Sequence, residues 1–210
     1  MNLILLGMPG AGKGTQAEHL QKKFSLANVS TGAILRDVSK SNSQQAEKIR
    51  QFLDSGKLVP NEIIIEMLVN RINEKDCVNG FILDGFPRNL EQAISLDNAS
   101  VNIDRVIFLR ISEDEIVSRM SGRRVHLASG RSYHVIHNPP KIDGKDDITG
   151  EELVQRDDDK PEVIKKRVEV YFRETEPLLK FYKNSQINFN EIDASKPMKI
   201  VTSKILEALS

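Results

Sequence analysis

The residues with the clearest chemical promise are Gly7-Met8-Pro9-Gly10-Ala11-Gly12-Lys13-Gly14-Thr15. Glycines let a backbone curl until successive N–H groups point inward, and without Cβ atoms nothing keeps a phosphate from approaching. A helix opening there adds unpaired N–H donors and the positive end of its dipole. Lys13 brings a full positive charge to where the outer phosphates of a nucleoside triphosphate lie. The spacing from Gly7 to Gly12-Lys13 fits the Walker A phosphate-binding pattern, with one departure. Gly14 stands where a magnesium-binding Ser or Thr is usual, and Thr15 comes one residue later, so direct metal ligation by the loop is not expected. A glycine-rich turn with no ligand is the plain alternative, and the lysine weighs against it.

Asp84 is the second candidate. It ends the apolar run Gly80-Phe81-Ile82-Leu83-Asp84 and is followed by Gly85-Phe86-Pro87-Arg88. In open parallel sheets ligands gather at the carboxyl ends of strands, and an acid there resembles a Walker B aspartate, near Mg²⁺ or its waters. A turn-forming Asp before Gly is equally common by itself; its pairing with the glycine loop favours function. Arg36, Arg88, Arg119, Arg123, Arg156 and Arg167 fall on six separate elements. Each alone reads as a solvated charge. Together they could clamp phosphate oxygens with paired hydrogen bonds that lysine does not reproduce.

The elements needed to position these groups follow from pattern. Asn2-Leu3-Ile4-Leu5-Leu6 reads as a buried strand before the loop, and Gln16 to Phe24 as the helix after it. Leu26 to Ser30, Gly80 to Asp84, Arg105 to Ile111 and Ile187 to Ile192 are further strands. Helices are expected over 33–40, 43–55, 61–72, 89–96 and 112–120, then a long one from Pro161 to about Tyr182, bent near Pro177, and a last one over 197–209. Residues 30–59 carry few large apolar side chains and read as a thinly packed, mobile helical flap. Residues 122–159, rich in Gly, Pro, Asp and Arg, read as a small β-rich insertion. The alternation predicts an α/β fold, a parallel sheet with helices on both faces.

The 210 residues suit one large domain with an insertion. Thirty basic and thirty acidic side chains cancel, so a nucleic-acid partner is not expected. Cys77 is the only cysteine, which excludes an intrachain disulfide and a multi-cysteine zinc site. The N-terminal apolar run is too short to span a membrane and lacks a basic leader, so cytosol is the expected location and no membrane partner is foreseen. From the residues alone the reading stops at an ATP-using P-loop protein, a kinase with a small acceptor.

The P-loop taken with Ser30-Thr31-Gly32, Asp84-Gly85-Phe86-Pro87-Arg88 and Gly122-Arg123-Arg124 resembles the adenylate kinases of the bacterial long-lid type, over essentially the whole chain. The resemblance implies a P-loop NTPase-type three-layer sandwich with a five-stranded parallel sheet. Residues 1–29, 60–121 and 160–210 would form the core, 30–59 the AMP-binding flap and 122–159 the lid. It implies the reaction ATP + AMP ⇌ 2 ADP, keeping adenine nucleotides in balance, in a monomer with Mg²⁺ on ATP and Asp84 touching the ion through water. By position, Gly10, Ala11, Gly12, Lys13, Gly14 and Thr15 would cradle the ATP phosphates. Arg119 would pack on the ATP adenine, Arg123 reach the transferring phosphate, and Ser132, Tyr133 and Lys196 frame the base.

For AMP the resemblance implies Thr31, Arg36, the backbone of Lys57, Leu58 and Val59, then Gly85, Phe86, Pro87, Arg88 and Gln92, the last reading the adenine edge. Arg156 and Arg167 would close on the phosphates, and Asp158 and Asp159 pair with arginines on closure. Met8 stands where alanine is commoner in the family. The acid Asp157 beside Arg156 would weaken phosphate attraction there slightly. Relatives with a zinc lid carry four ligands at places here occupied by His126, Ser129, Asp146 and Thr149, and hydroxyls are poor zinc ligands, so a hydrogen-bonded lid without structural zinc is expected. A kinase for another nucleoside monophosphate, or a nucleotide-dependent regulator without transfer activity, would share most of these features.

Overall fold

The computed structural model describes residues 1–210, the side chain of Gln45 excepted. Five strands, β1 (Leu3–Gly7), β2 (Ala27–Ser30), β3 (Phe81–Asp84), β4 (Arg105–Arg110) and, last in sequence, β7 (Asn188–Asp193), form one parallel sheet. Two short strands, β5 (Arg123–Val125) and β6 (Ser132–His134), pair antiparallel in a separate sheet. The helices are α1 (Lys13–Phe24), α2 (Thr31–Val38), α3 (Gln44–Ser55), α4 (Asn61–Ile72), α5 (Leu90–Asn98), α6 (Glu113–Ser121), α7 (Pro161–Val170), α8 (Pro177–Lys183) and α9 (Met198–Leu209).

The spatial order β2-β3-β1-β4-β7 puts the first strand in the centre, with each neighbour parallel. Every residue of β1 is buried, as a strand covered on both faces requires. Its side chains alternate: Leu3 and Leu5 join the apolar cluster holding α1 and α9 residues such as Leu20 and Ile205, whereas Ile4 and Leu6 join one holding Leu68, Leu96 and Tyr182. The protein is thus a three-layer α/β sandwich, as the sequence pattern predicts. Because the chain leaves β1 towards β2 on one side and reaches β4 on the other, a crevice opens at the strands' carboxyl ends. Register fixes what lies there: Asp84 is level with Leu5 of β1 and Ser30 of β2.

Two expectations need amendment. The segment 30–59 is not thinly packed, because Leu35, Ile49 and Val59 are buried within the same cluster as the sheet. Ser30 and Ser43 cap α2 and α3 by accepting from Ala33 and Ala46 N–H groups, each such cap contributing about 1 kcal/mol. The long C-terminal helix is not simply bent at Pro177. It widens into a π-helical turn over Tyr171–Thr175, where Glu176 N–H reaches back to Tyr171 O at 2.9 Å. Pro177 cannot donate and its ring crowds the carbonyl four residues back, so the turn before it expands.

Candidate active site

The crevice is a cavity of about 1490 Å³ at the carboxyl ends of the strands. Gly10, Ala11, Gly12, Lys13, Gly14 and Thr15 line its floor. Gly10 and Gly12 adopt left-handed φ values of 81° and 94°, which glycine alone adopts without strain. Gly12 caps α1 without a side chain, and the first turn of α1 holds no acid. Its free N–H donors and positive dipole end are therefore left to an incoming anion.

Lys13 curls over its own loop, donating to Gly7 O at 2.7 Å and Met8 O at 2.9 Å. Burial pushes its ammonium down to about 8, against the pull of Asp84 and with further lowering from Arg88, Arg167 and Arg123. A bound phosphate favours the charged form, so nucleotide binding must draw a proton onto Lys13. We expect calorimetry in buffers of different ionisation enthalpy to show net proton uptake on ATP binding near pH 8. It should shrink towards pH 7 and be absent in Lys13→Met; uptake that survives the substitution would contradict this.

All six singled-out arginines line this cavity. Arg88 is fixed by its Nε–H to Gly85 O at 2.8 Å, and its backbone carbonyl accepts from Thr175 Oγ1 at 2.7 Å. Thr175 belongs to the π turn, so the widened helix helps position Arg88, a link across 87 residues that no local pattern reveals. Burial, then Arg167, pushes the Arg88 guanidinium down to about 10. Arg156 is pushed to about 9 by burial, Arg36 and Arg123. Neither Arg36 nor Arg156 has an ion-pair or side-chain hydrogen-bond partner among the described residues. Buried positive charges crowded with no carboxylate in contact with Arg36 or Arg156 suit an anion site.

Arg123 and Arg167 are engaged differently. Arg123 makes a two-pronged pair with Asp159, Nε to Oδ2 at 2.7 Å and Nη2 to Oδ1. Arg167 donates to Asp158 Oδ2 at 2.7 Å and to its carbonyl at 3.0 Å. Asp158 and Asp159 are thus each paired with an arginine in this structure. Arg167 also runs over Gly56, where a Cβ would lie 3.0 Å from its Cγ.

Asp84 lines the same floor. A Cβ on Gly14 would lie 3.5 Å from Asp84 Oδ2, an ordinary contact that leaves room beside the carboxylate. Among the described residues no three His, Cys, Asp or Glu side chains gather to hold a metal. One carboxylate beside a phosphate cradle does fit Mg²⁺, which keeps its waters and binds mostly through substrate phosphates.

The remaining sequence-predicted residues divide. Arg119 donates weakly to Ser195 O at 3.4 Å, and Lys196 lies beside it on the wall. Ser132 and Tyr133 also line the cavity, but the Tyr133 hydroxyl donates to Asp146 at 2.9 Å and accepts from Asp147 N–H at 3.0 Å. Its side chain therefore serves the interior of the β5–β6 unit. There His126 Nδ1 meets Ser129 Oγ at 2.7 Å, and Asp146 accepts from Arg131 Nε at 2.8 Å and Thr149 Oγ1 at 3.0 Å. Arg131 above all holds the Asp146 carboxyl far below the usual carboxylate range.

Leu58, Gly85, Pro87 and Arg88 reach the large cavity; Thr31, Lys57, Val59, Phe86 and Gln92 do not. Thr31 donates to Gly85 O at 2.9 Å, and Phe86 is core, 1 % exposed. Lys57, Leu58 and Val59 border a second cavity of about 400 Å³, reached also by Asn61 and Asn89, with Leu58 common to both. Gln92 is 2 % exposed and held by protein partners. Gly85, at φ 80°, leaves a Cβ position only 3.0 Å from Arg88 Nη2 and 3.2 Å from Thr31 Oγ1. Gly85→Ala should displace that guanidinium and lower kcat/KM on the order of 10–100-fold; wild-type kinetics would dissociate Gly85 from the site.

A strand, phosphate loop, helix and aspartate at the sheet's carboxyl edge, with arginines crowded above them, define a P-loop phosphotransferase. A family model described as Adenylate kinase matches residues 5–187, and the chain belongs to that family. Its activity is transfer of the terminal phosphoryl group between ATP and AMP.

Proposed function

We propose that each nucleotide has its own side of the cavity and that the arginines meet on the phosphates between them. In this reading the loop from Gly10 to Thr15 holds the ATP phosphates by main-chain N–H groups, and Lys13 follows the group being transferred. The adenine of ATP lies against Arg119, between the Ser132-Tyr133 edge and Lys196. AMP lies on the side of Thr31, Arg36, Leu58 and Gly85 to Arg88. Arg88, Arg123, Arg156 and Arg167 neutralise charge as the bond from the terminal phosphorus to the bridging oxygen breaks and the bond to an AMP phosphate oxygen forms. Asp84, beside the phosphate loop, would help hold Mg²⁺ on the ATP phosphates, and the ion would supply electrostatic stabilisation of the leaving diphosphate.

The observation that carries this reading is the set of cations disfavoured by burial, Lys13, Arg36, Arg88 and Arg156, none of them in an ion pair among the described residues, around one cavity whose floor is a helix N-terminus. Segments 30–59 and 122–159 act as moving covers, needed because water reaching the activated phosphate would hydrolyse ATP. The insertion 122–159 works as a long, hydrogen-bonded lid, and turnover is set by lid opening. The protein acts as a monomer in the cytoplasm, on free nucleotides rather than nucleic acid or membrane; no helix is long and apolar enough to cross a membrane among the described residues. A coupled assay with AMP, GMP, CMP and UMP as acceptors tests the assignment: AMP should be preferred, and preference for another base would overturn it.

A further inference from the structure

Arg88 lies in the turn between β3 and α5, and side chains hold its main chain at both ends. Gln92 Oε1 accepts from its N–H at 2.7 Å, and its carbonyl accepts from Thr175 Oγ1 at 2.7 Å. The guanidinium is tied back to Gly85 O through Nε, so its aim follows the main chain. No backbone N–H among the described residues donates to the Arg88 carbonyl, which leaves Thr175 as its partner. The Thr175 hydroxyl had a local alternative. Within a helix a threonine commonly donates to the carbonyl four residues back, which here is that of Tyr171. A hydroxyl has one proton, and Thr175 gives it to Arg88 across 87 residues of chain.

The π turn accounts for the direction in which Thr175 points. Arg167, Tyr171 and Thr175 all line the large cavity. In an unbroken α-helix, at about 3.6 residues per turn, the side chain two turns beyond Arg167 would be that of Glu174. The turn over Tyr171–Thr175 instead closes five residues on, with Glu176 N–H reaching Tyr171 O, and so uses one residue more. Thr175 takes the place on the cavity face. Glu174 borders the second cavity with Arg173, from whose Nε it accepts at 2.8 Å. A carboxylate on the other side would pair with the crowded cations and compete with phosphate for them.

We infer that Thr175, placed by the π turn, is a positioning residue for phosphoryl transfer: its hydroxyl fixes the Arg88 main chain and so aims the guanidinium, while the same shift of register keeps Glu174 off the phosphates. The inference rests on the reading that Arg88 meets those phosphates. One continuous stretch of helix then carries Arg167 itself and holds Arg88 through Thr175, which sets the two guanidinium groups relative to each other. Thr175 needs no contact with substrate.

The test is the single-turnover rate of transfer, since lid opening sets steady-state turnover in the proposed mechanism, with folding checked by melting. Thr175→Val keeps the shape and removes the donor; it should slow transfer about 10–100-fold and leave the KM for ATP unchanged. Thr175→Ser keeps the donor and should transfer at close to the wild-type rate. In an Arg88→Ala background Thr175→Val should cost nothing further, because a residue that acts only through Arg88 has nothing left to position. An undiminished rate in Thr175→Val overturns the inference, as does a serine variant as slow as the valine one, or the same fold-loss from valine in the Arg88→Ala background. A wild-type rate in Arg88→Ala alone overturns instead the reading of Arg88 beneath it.

Discussion

Replacing Lys13 with methionine should lower kcat by on the order of 10³ while leaving the fold intact. Methionine approximates the length of the lysine stem, so the loop keeps its packing while the charge is lost. In the structure the ammonium has two carbonyl partners within its own loop and no carboxylate in contact. Its burial already disfavours the charged form. The protein thus keeps a desolvated cation at the mouth of a helix, which makes physical sense if an anion later repays it. Steady-state kinetics with a melting curve decides the matter: a rate within tenfold of wild type would remove Lys13 from the transfer step.

Arg156→Lys has the second large effect. If Arg156 stabilises the group in flight, kcat/KM should fall by about 10³–10⁵, although the charge is retained. An ammonium is a point charge and does not present two parallel N–H groups to a phosphate. Stability supplies the control. Arg156 has no ion-pair partner among the described residues and is disfavoured by burial and by Arg36 and Arg123, so lysine at this position should not lower the melting temperature. A small kinetic effect, or a large one accompanied by unfolding, would contradict the assigned role. Arg123 is a poorer first target, since its pair with the fully buried Asp159 mixes structural and catalytic consequences.

Local features were legible in the sequence because their causes are local. The strand, the glycine curl and the following helix lie in one continuous stretch, and Asp84 ends an apolar run that could only be a covered strand. The parallel sheet followed from repeated alternation of strand and helix. What escaped depends on groups far apart in the chain. Leu35 and Ile49 look sparse in sequence, yet both are buried against the sheet's own cluster. The Tyr133 hydroxyl is taken up by Asp146 and Asp147, partners 13 and 14 positions away that no local pattern reveals. Likeness alone links Gln92 to a base, whereas its hydrogen bond to Asn61, 31 positions away, exists only once α4 and α5 are packed. Likewise the six arginines singled out are scattered along the chain, and only folding brings them to one cavity.

The most direct measurement is the crystal structure of the complex with two adenosines joined by a polyphosphate chain. The account predicts the chain lying over Gly10 to Thr15, with Lys13, Arg88, Arg123, Arg156 and Arg167 all within hydrogen-bond reach of phosphate oxygens. A chain seated elsewhere, or arginines left on their aspartates and in solvent while the phosphates go uncontacted, would contradict it.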